Sequence, residues 1–148
     1  MSIEVKARNK RAAYEYELLE RVEAGIVLQG TEIKSIRQGK VNISDAYVTI
    51  DESGEAYVYN LTISPYDHGN RANHIENRRR KLLLHRREIK KIHESIKSKG
   101  VTVIAYSLYL KEGLAKLEIV LARGKKIYDK REAERKKDDA KMLRDPNY

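Results

Sequence analysis

The sequence predicts a mainly β fold with helices: a small antiparallel barrel with two or three flanking helices and a basic C-terminal tail. Three observations carry that prediction. Short β-prone runs recur as far as Leu121, and two pairs of them meet at glycine-containing loops. Two further stretches carry the apolar spacing and end signals of helices. The stretch after Arg123 is charged and has almost no apolar face.

Taken in order, Tyr14–Leu19 and Gly25–Gln29 are two separate β-prone runs, with Gly25 and Gly30 where a strand turns or bulges. Thr31–Gly39 reads as one or two helical turns, capped by Thr31 and ended by Gly39. Its Ile33 and Ile36 share a face and can plug the end of a barrel. Ala46–Ile50 and Glu55–Asn60 are strands joined by the loop Asp51–Gly54. Leu61–Pro65 is extended, and the polar stretch His68–Asn77 reads as a mobile loop. From His85 to Lys99, Leu84, Glu88, Ile92 and Ile96 follow four-residue steps with Ile89 beside them, and Gly100 closes the helix. Val101–Leu110 and Leu114–Leu121 form a second hairpin across Lys111–Gly113. No repeat or linker divides the body, so one domain, 1–123, is expected to carry a tail, 124–148.

Composition narrows the partners. The 148 residues hold 31 Lys and Arg against 22 Asp and Glu, a formal net charge of +9 with a pI near 9.6. From Arg123 to Tyr148 there are ten cations against six anions. Glu132–Arg144 is built of strong helix formers without an apolar side, so it is expected to be disordered when free and helical in a polyanionic groove. There is no cysteine, so no disulfide framework or thiolate metal site. No apolar run reaches the roughly 20 residues a membrane span needs, and Met1–Lys10 lacks a signal-peptide h-region. A cytoplasmic protein, monomeric when free, is expected. Ten tyrosines stand beside no phenylalanine and no tryptophan. A phenol suits barrel walls and base-stacking platforms alike.

No phosphate loop or His-Glu-x-x-His run is present. His68 and His74 fall in the loop. His85 and His93 sit two turns apart on the helix, too far to share a metal. No metal, cofactor or catalytic residue is expected. Two basic groups point instead to nucleic acid: Arg78–Lys81 with Arg86 and Arg87, and Lys125–Arg131. With no groove-reading helix visible, RNA is favoured over DNA. A general RNA-chaperone barrel and a small ribonuclease stay open as alternatives at this level.

Eight ordered segments then resemble one family. They are Asn9–Ala12, Glu23–Gly25, Leu28–Gly30, Glu32–Ser35, Val41–Tyr47, Gly54–Ala56, Lys81–Glu88 and Gly124–Lys126 with Asp129–Arg131. In this order and over this span, the sequence resembles the SsrA-binding protein family, small protein B. The resemblance implies an oligonucleotide-binding (OB-like) barrel that binds the tRNA-like domain of transfer-messenger RNA. It also implies that the protein delivers that RNA to stalled ribosomes in trans-translation. Matched residue by residue, RNA contact falls on Asn9, Glu23, Leu83 and Lys116. Work in the small-subunit decoding centre and message channel falls on Gly124, Lys125, Lys126, Tyr128, Asp129, Lys130 and Arg131, then on Met142 and Leu143. Tyr128 stands where relatives commonly carry histidine. Lys116 can meet a phosphate, Glu23 can accept from a base or a 2′-hydroxyl, and Leu83 can lie against a splayed base. Without the resemblance, Leu83 reads as core packing, Glu23 as a strand-edge charge and Gly124 as a strand terminus.

Overall fold

In a computed structural model of the chain, residues 3–66 and 73–124 are described. They form, in order, β1 (Ile3–Arg8), α1 (Ala12–Glu15), β2 (Tyr16–Ile26), α2 (Gly30–Arg37), β3 (Val41–Asn42), β4 (Tyr47–Ile50) and β5 (Ala56–Tyr59). Next along the chain come β6 (Thr62–Ile63), β7 (Arg80–Leu83), α3 (Arg86–Ile96), β8 (Val101–Lys111) and β9 (Leu114–Gly124). Mostly antiparallel strand with a few helices, the fold agrees with the class expected.

Alternation along the two longest strands sets the inside and the outside. On β9, Leu117, Ile119 and Leu121 enter the main core, while Lys116 and Glu118 between them face outward. Opposite them on β8, Val103, Ala105, Leu108 and Leu110 enter the same core. Fully burying one such Leu or Ile contributes about 1.5–3 kcal/mol. The β8–β9 turn is the two-residue Glu112–Gly113, with φ of 52° and 83°, a backbone that suits glycine.

Six strands close a ring in the order β8-β4-β5-β7-β2-β9, with β9 pairing back onto β8. β1 adds to the outer part of the β8 edge, and β3 and β6 pair separately. Ile36 of α2 and Ile92 of α3 are buried in the core cluster, and Ile33 packs at its margin. A second, smaller cluster lies outside the ring: Val120, Ala122 and Ile104 are covered by Ala12 of α1.

Four expectations change. The two runs between Tyr14 and Gln29 are one 11-residue strand, β2, because β9 pairs with it from Tyr16 to Gly25. A bulge between Leu18 and Glu20 explains why its alternation loses register. β1 and α1 carried no usable sequence signal: β1 is largely exposed, and its order comes from pairing with Ser107–Lys111. α2 is capped by Gln29, whose amide donates to Glu32 at 2.7 Å, and not by Thr31. Thr31 Oγ1 instead meets His74 Nδ1 at 2.9 Å. The described part of the 68–77 segment is tied down. Asn73 exchanges two hydrogen bonds with the Tyr66 backbone, and buried His74 reaches the Ile63 carbonyl at 2.8 Å.

Candidate RNA-binding surface

Strand register assembles a row that no single strand shows. Tyr109 pairs with Lys116, Lys116 with Gly25, and Gly25 with Leu83, across β8, β9, β2 and β7. Directly paired residues share a face, so all four lie on one side of the sheet. That side is the outside, since Ala24, Leu82, Leu108 and Leu117 next to them are core residues. A second row, two residues along, joins Ser107, Glu118 and Glu23.

Leu83 is 55% exposed, an apolar side chain that burial does not explain. Gly25 makes room for it: a Cβ built there would stand 3.2 Å from the Leu83 Cβ, tighter than ordinary contact. The result is a ridge of Leu83, Gly25 and Lys116 between two clefts. One, of about 490 Å³, includes Glu23, His85 and Glu88 in its lining. The other, of about 440 Å³, runs past Leu28, Ile33, Arg37 and Leu114.

The carboxylate of Glu23 is held in place. The Tyr109 hydroxyl donates to it, and the Lys111 ammonium is 3.8 Å away. Burial and then this carboxylate keep the Tyr109 phenol well above its ordinary pKa, so it stays a donor. Glu118, directly opposite Glu23, would repel it. Ser107 Oγ donates to Glu118 at 3.1 Å, and Arg21 stands 3.9 Å from its other oxygen, offsetting the like charge.

Of the four residues expected to contact RNA, the fold brings Glu23, Leu83 and Lys116 together. Asn9 behaves differently. It is buried, its Nδ2 donates to the Ala105 carbonyl at 3.2 Å, and its Oδ1 accepts from the Arg11 amide at 3.3 Å. Asn9 therefore pins the start of α1 to β8. Gly124 is the last residue of β9, paired with Tyr16, with its amide donating to the Gly100 carbonyl. Lys125, Lys126, Tyr128, Asp129, Lys130, Arg131, Met142 and Leu143 lie outside the described residues, as does the Lys125–Arg131 basic group.

The other basic group needs correction. Arg80 is fully buried and donates to Glu32 at 2.7 Å, as does Arg78. Arg80 also bonds the carbonyls of Leu61, Ile75, Glu76 and Arg78, stitching the chain before β7 to the end of β5. Burial pushes the Glu32 carboxyl up, but hydrogen bonds from Arg78, the Gln29 amide and Arg80 outweigh it and bring it below the ordinary value. Lys81 pairs with Glu55 at 3.1 Å. Three of the four cations in Arg78–Lys81 are thus matched by carboxylates. Arg86 and Arg87 remain exposed on α3.

Sequence reading missed Tyr109, Lys111, Ser107 and Glu118 as parts of this face. Their only local signal is alternation on β8 and β9, which does not say which strand lies opposite. Among the described residues no group of His, Cys, Asp and Glu could hold a metal ion. No described helix is long and apolar enough to cross a membrane.

Comparison with known proteins bears on this face directly. A family model described as SmpB protein matches residues 6–146. The SsrA-binding protein of Geotalea uraniireducens is 51% identical over 138 residues, covering 93% of this chain and 91% of that protein. The SsrA-binding protein of Geobacillus thermodenitrificans is 52% identical over 134 residues, covering 90% and 86%. A chain in the solved structure "tmRNA-SmpB: a journey to the center of the bacterial ribosome" superposes with a TM-score of 0.70. It is 42% identical, and the match covers 94% of each chain.

Proposed function

The chain belongs to the SmpB protein family, and we propose that it binds the tRNA-like domain of transfer-messenger RNA and delivers it to stalled ribosomes for trans-translation. The observation that carries the reading is the outward row of Glu23, Leu83 and Lys116, built from three strands on the ring of a strongly basic chain. Lys116 meets a phosphate and releases its counterion. Glu23, oriented by Tyr109, accepts from a base edge or a 2′-hydroxyl, the group that separates RNA from DNA. Leu83 lies against a base turned out of its stack. Asn9 acts through the backbone it holds, keeping α1 on the outer face of β8.

The body, 1–123, works as the RNA-binding unit and 124–148 as the ribosomal one. Lys116 and Gly124 stand on the same strand eight residues apart, about 26 Å at roughly 3.3 Å per residue. The tail therefore leaves the body well away from the ridge. In this reading Gly124 ends the ring. Lys125, Lys126, Tyr128, Asp129, Lys130 and Arg131 enter the empty decoding centre, and Met142 and Leu143 lie along the message channel. A phenol at Tyr128 can stack on a decoding base but cannot supply an imidazolium. The protein works in the cytoplasm, as an RNA-binding adaptor.

Two measurements test this. A gel shift with the tRNA-like domain, competed by ordinary tRNA, is expected to show tight and salt-sensitive preference for the former. Equal affinity for any structured RNA would favour a general chaperone. Deleting 132–148 is expected to leave that binding intact and abolish peptide tagging on stalled ribosomes. Parallel loss of both would overturn the division of labour.

A further inference from the structure

Within the run Arg78–Lys81 one cation differs from its neighbours. Arg78 and Arg80 hold Glu32, and Lys81 holds Glu55. Exposed Arg79 makes no ion pair with a carboxylate among the described residues. Its guanidinium carbon lies 4.1 Å from the centroid of the Tyr57 ring, and Nη1 donates to the Tyr59 hydroxyl at 3.3 Å. Tyr59 in turn stacks on Tyr47, with centroids 5.5 Å apart and ring planes 14° from parallel. The Asp51 carboxylate in the β4–β5 loop is engaged by the Ser53 and Glu55 amides and the Ser53 hydroxyl.

Register puts these groups on one face. Tyr47 pairs with Tyr59, and Tyr57 pairs with both Thr49 and Lys81. Val48, Ala56 and Val58, which alternate with them, are buried in the core. The three tyrosines and Arg79 are therefore on the outside of the ring. In the order β8-β4-β5-β7-β2-β9, β5 is three strands from β9 in either direction. This face points away from the ridge of Leu83, Gly25 and Lys116.

We propose that the Arg79, Tyr57, Tyr59 and Tyr47 face is a second RNA-binding surface, taking an unpaired stretch of ribosomal RNA while the β2–β9 face holds the first RNA. A guanidinium lying flat on a phenol forms a rigid cationic layer. A nucleobase can stack on that layer, and the same cation can meet the adjoining phosphate. Tyr47, stacked on Tyr59 and 38% exposed, extends the platform by a second ring. Binding of this kind tolerates sequence, because every base has a π-face. That the RNA is ribosomal rests on the function proposed above; the stacking surface does not.

The test uses the full chain and a twelve-nucleotide RNA carrying 5-iodouridine, with and without saturating tRNA-like domain. Ultraviolet crosslinks mapped by mass spectrometry are expected at Tyr47, Tyr57 or Tyr59, and to persist when the tRNA-like domain is bound. Arg79→Ala is expected to weaken binding of the oligonucleotide about tenfold while changing affinity for the tRNA-like domain by less than about twofold. Tyr47→Ala, which removes an outer ring, gives the same result if the protein stays folded; Arg79→Ala decides the matter if it does not. Crosslinks confined to tail tyrosines would overturn the proposal. Displacement of the oligonucleotide by the tRNA-like domain, or unchanged affinity in Arg79→Ala, would do the same. If the tRNA-like domain itself fails to bind, the function proposed above fails, while the crosslink map still reads this face.

Discussion

The densest positive charge in the described chain and its candidate recognition ridge are built in opposite ways. Arg78–Lys81 is four cations in a row, yet Glu32 and Glu55 match three of them, and Arg80 is entirely inside. The ridge has one cation, Lys116, beside a carboxylate and an exposed leucine. Charge density along a sequence is therefore a poor guide to charge available to a ligand. What counts is whether a carboxylate from elsewhere in the chain arrives opposite. Here Glu32 arrives from α2, 46 residues from Arg78 and 48 from Arg80.

The largest effect expected from breaking this contrast is on stability. Glu32→Gln leaves two arginines short of a buried partner and is expected to cost about 3–5 kcal/mol in denaturant unfolding. The remaining folded protein should bind the tRNA-like domain as before. A variant that unfolds normally but loses RNA would make the Arg78–Lys81 run part of the RNA site after all.

The ridge should respond the other way. Lys116→Ala is expected to weaken the tRNA-like domain by about 1–3 kcal/mol and to lower the salt slope by about one, with stability changed by no more than about 0.5 kcal/mol. Glu23→Gln should cost comparable affinity with the salt slope unchanged, since a hydrogen-bond acceptor releases no cation from phosphate. Titration of binding against salt separates the two.

Acid gives a sharper but smaller signature. The Glu32 carboxyl titrates below its unfolded value, near 4.5, because its hydrogen bonds favour the charged form. Its contribution is present above that pH and is lost as pH falls through the lower folded value. Wild-type stability should therefore fall in that window, and Glu32→Gln should flatten the part of the profile due to this group.

The smallest effect is expected at Gly25. A methyl there meets the Leu83 Cβ at 3.2 Å, so Leu83 must shift by a few tenths of an ångström. Gly25→Ala should weaken the tRNA-like domain several-fold and leave the fold intact, as thermal unfolding would check. Equal affinity would mean that Leu83 has no fixed place against a base.

Much of the local structure was legible. Asp51–Gly54 and Glu112–Gly113 announced their hairpins because turn chemistry is confined to a few adjacent residues. The α3 helix was legible from Leu84, Ile92 and Ile96 and from its glycine stop. β1 was not, because a largely exposed strand with no alternation owes its order to Ser107–Lys111, about a hundred residues away. His74 looked like loop chemistry, but the groups that hold it, Thr31 and Ile63, come from other elements.

The candidate site divides along the same line. Residue by residue, likeness to a family pointed to Glu23, Leu83 and Lys116, and the sequence alone carried the positive charge, the absence of thiol chemistry and the hairpins. It could not determine that these three stand on one ridge, that Tyr109 orients Glu23 from 86 residues away, or that Asn9 faces inward. Local periods of two and about four residues fix which side of its own element a residue occupies. Which element lies opposite, and so which charge is matched and which is left for RNA, is decided only when the strands close their ring.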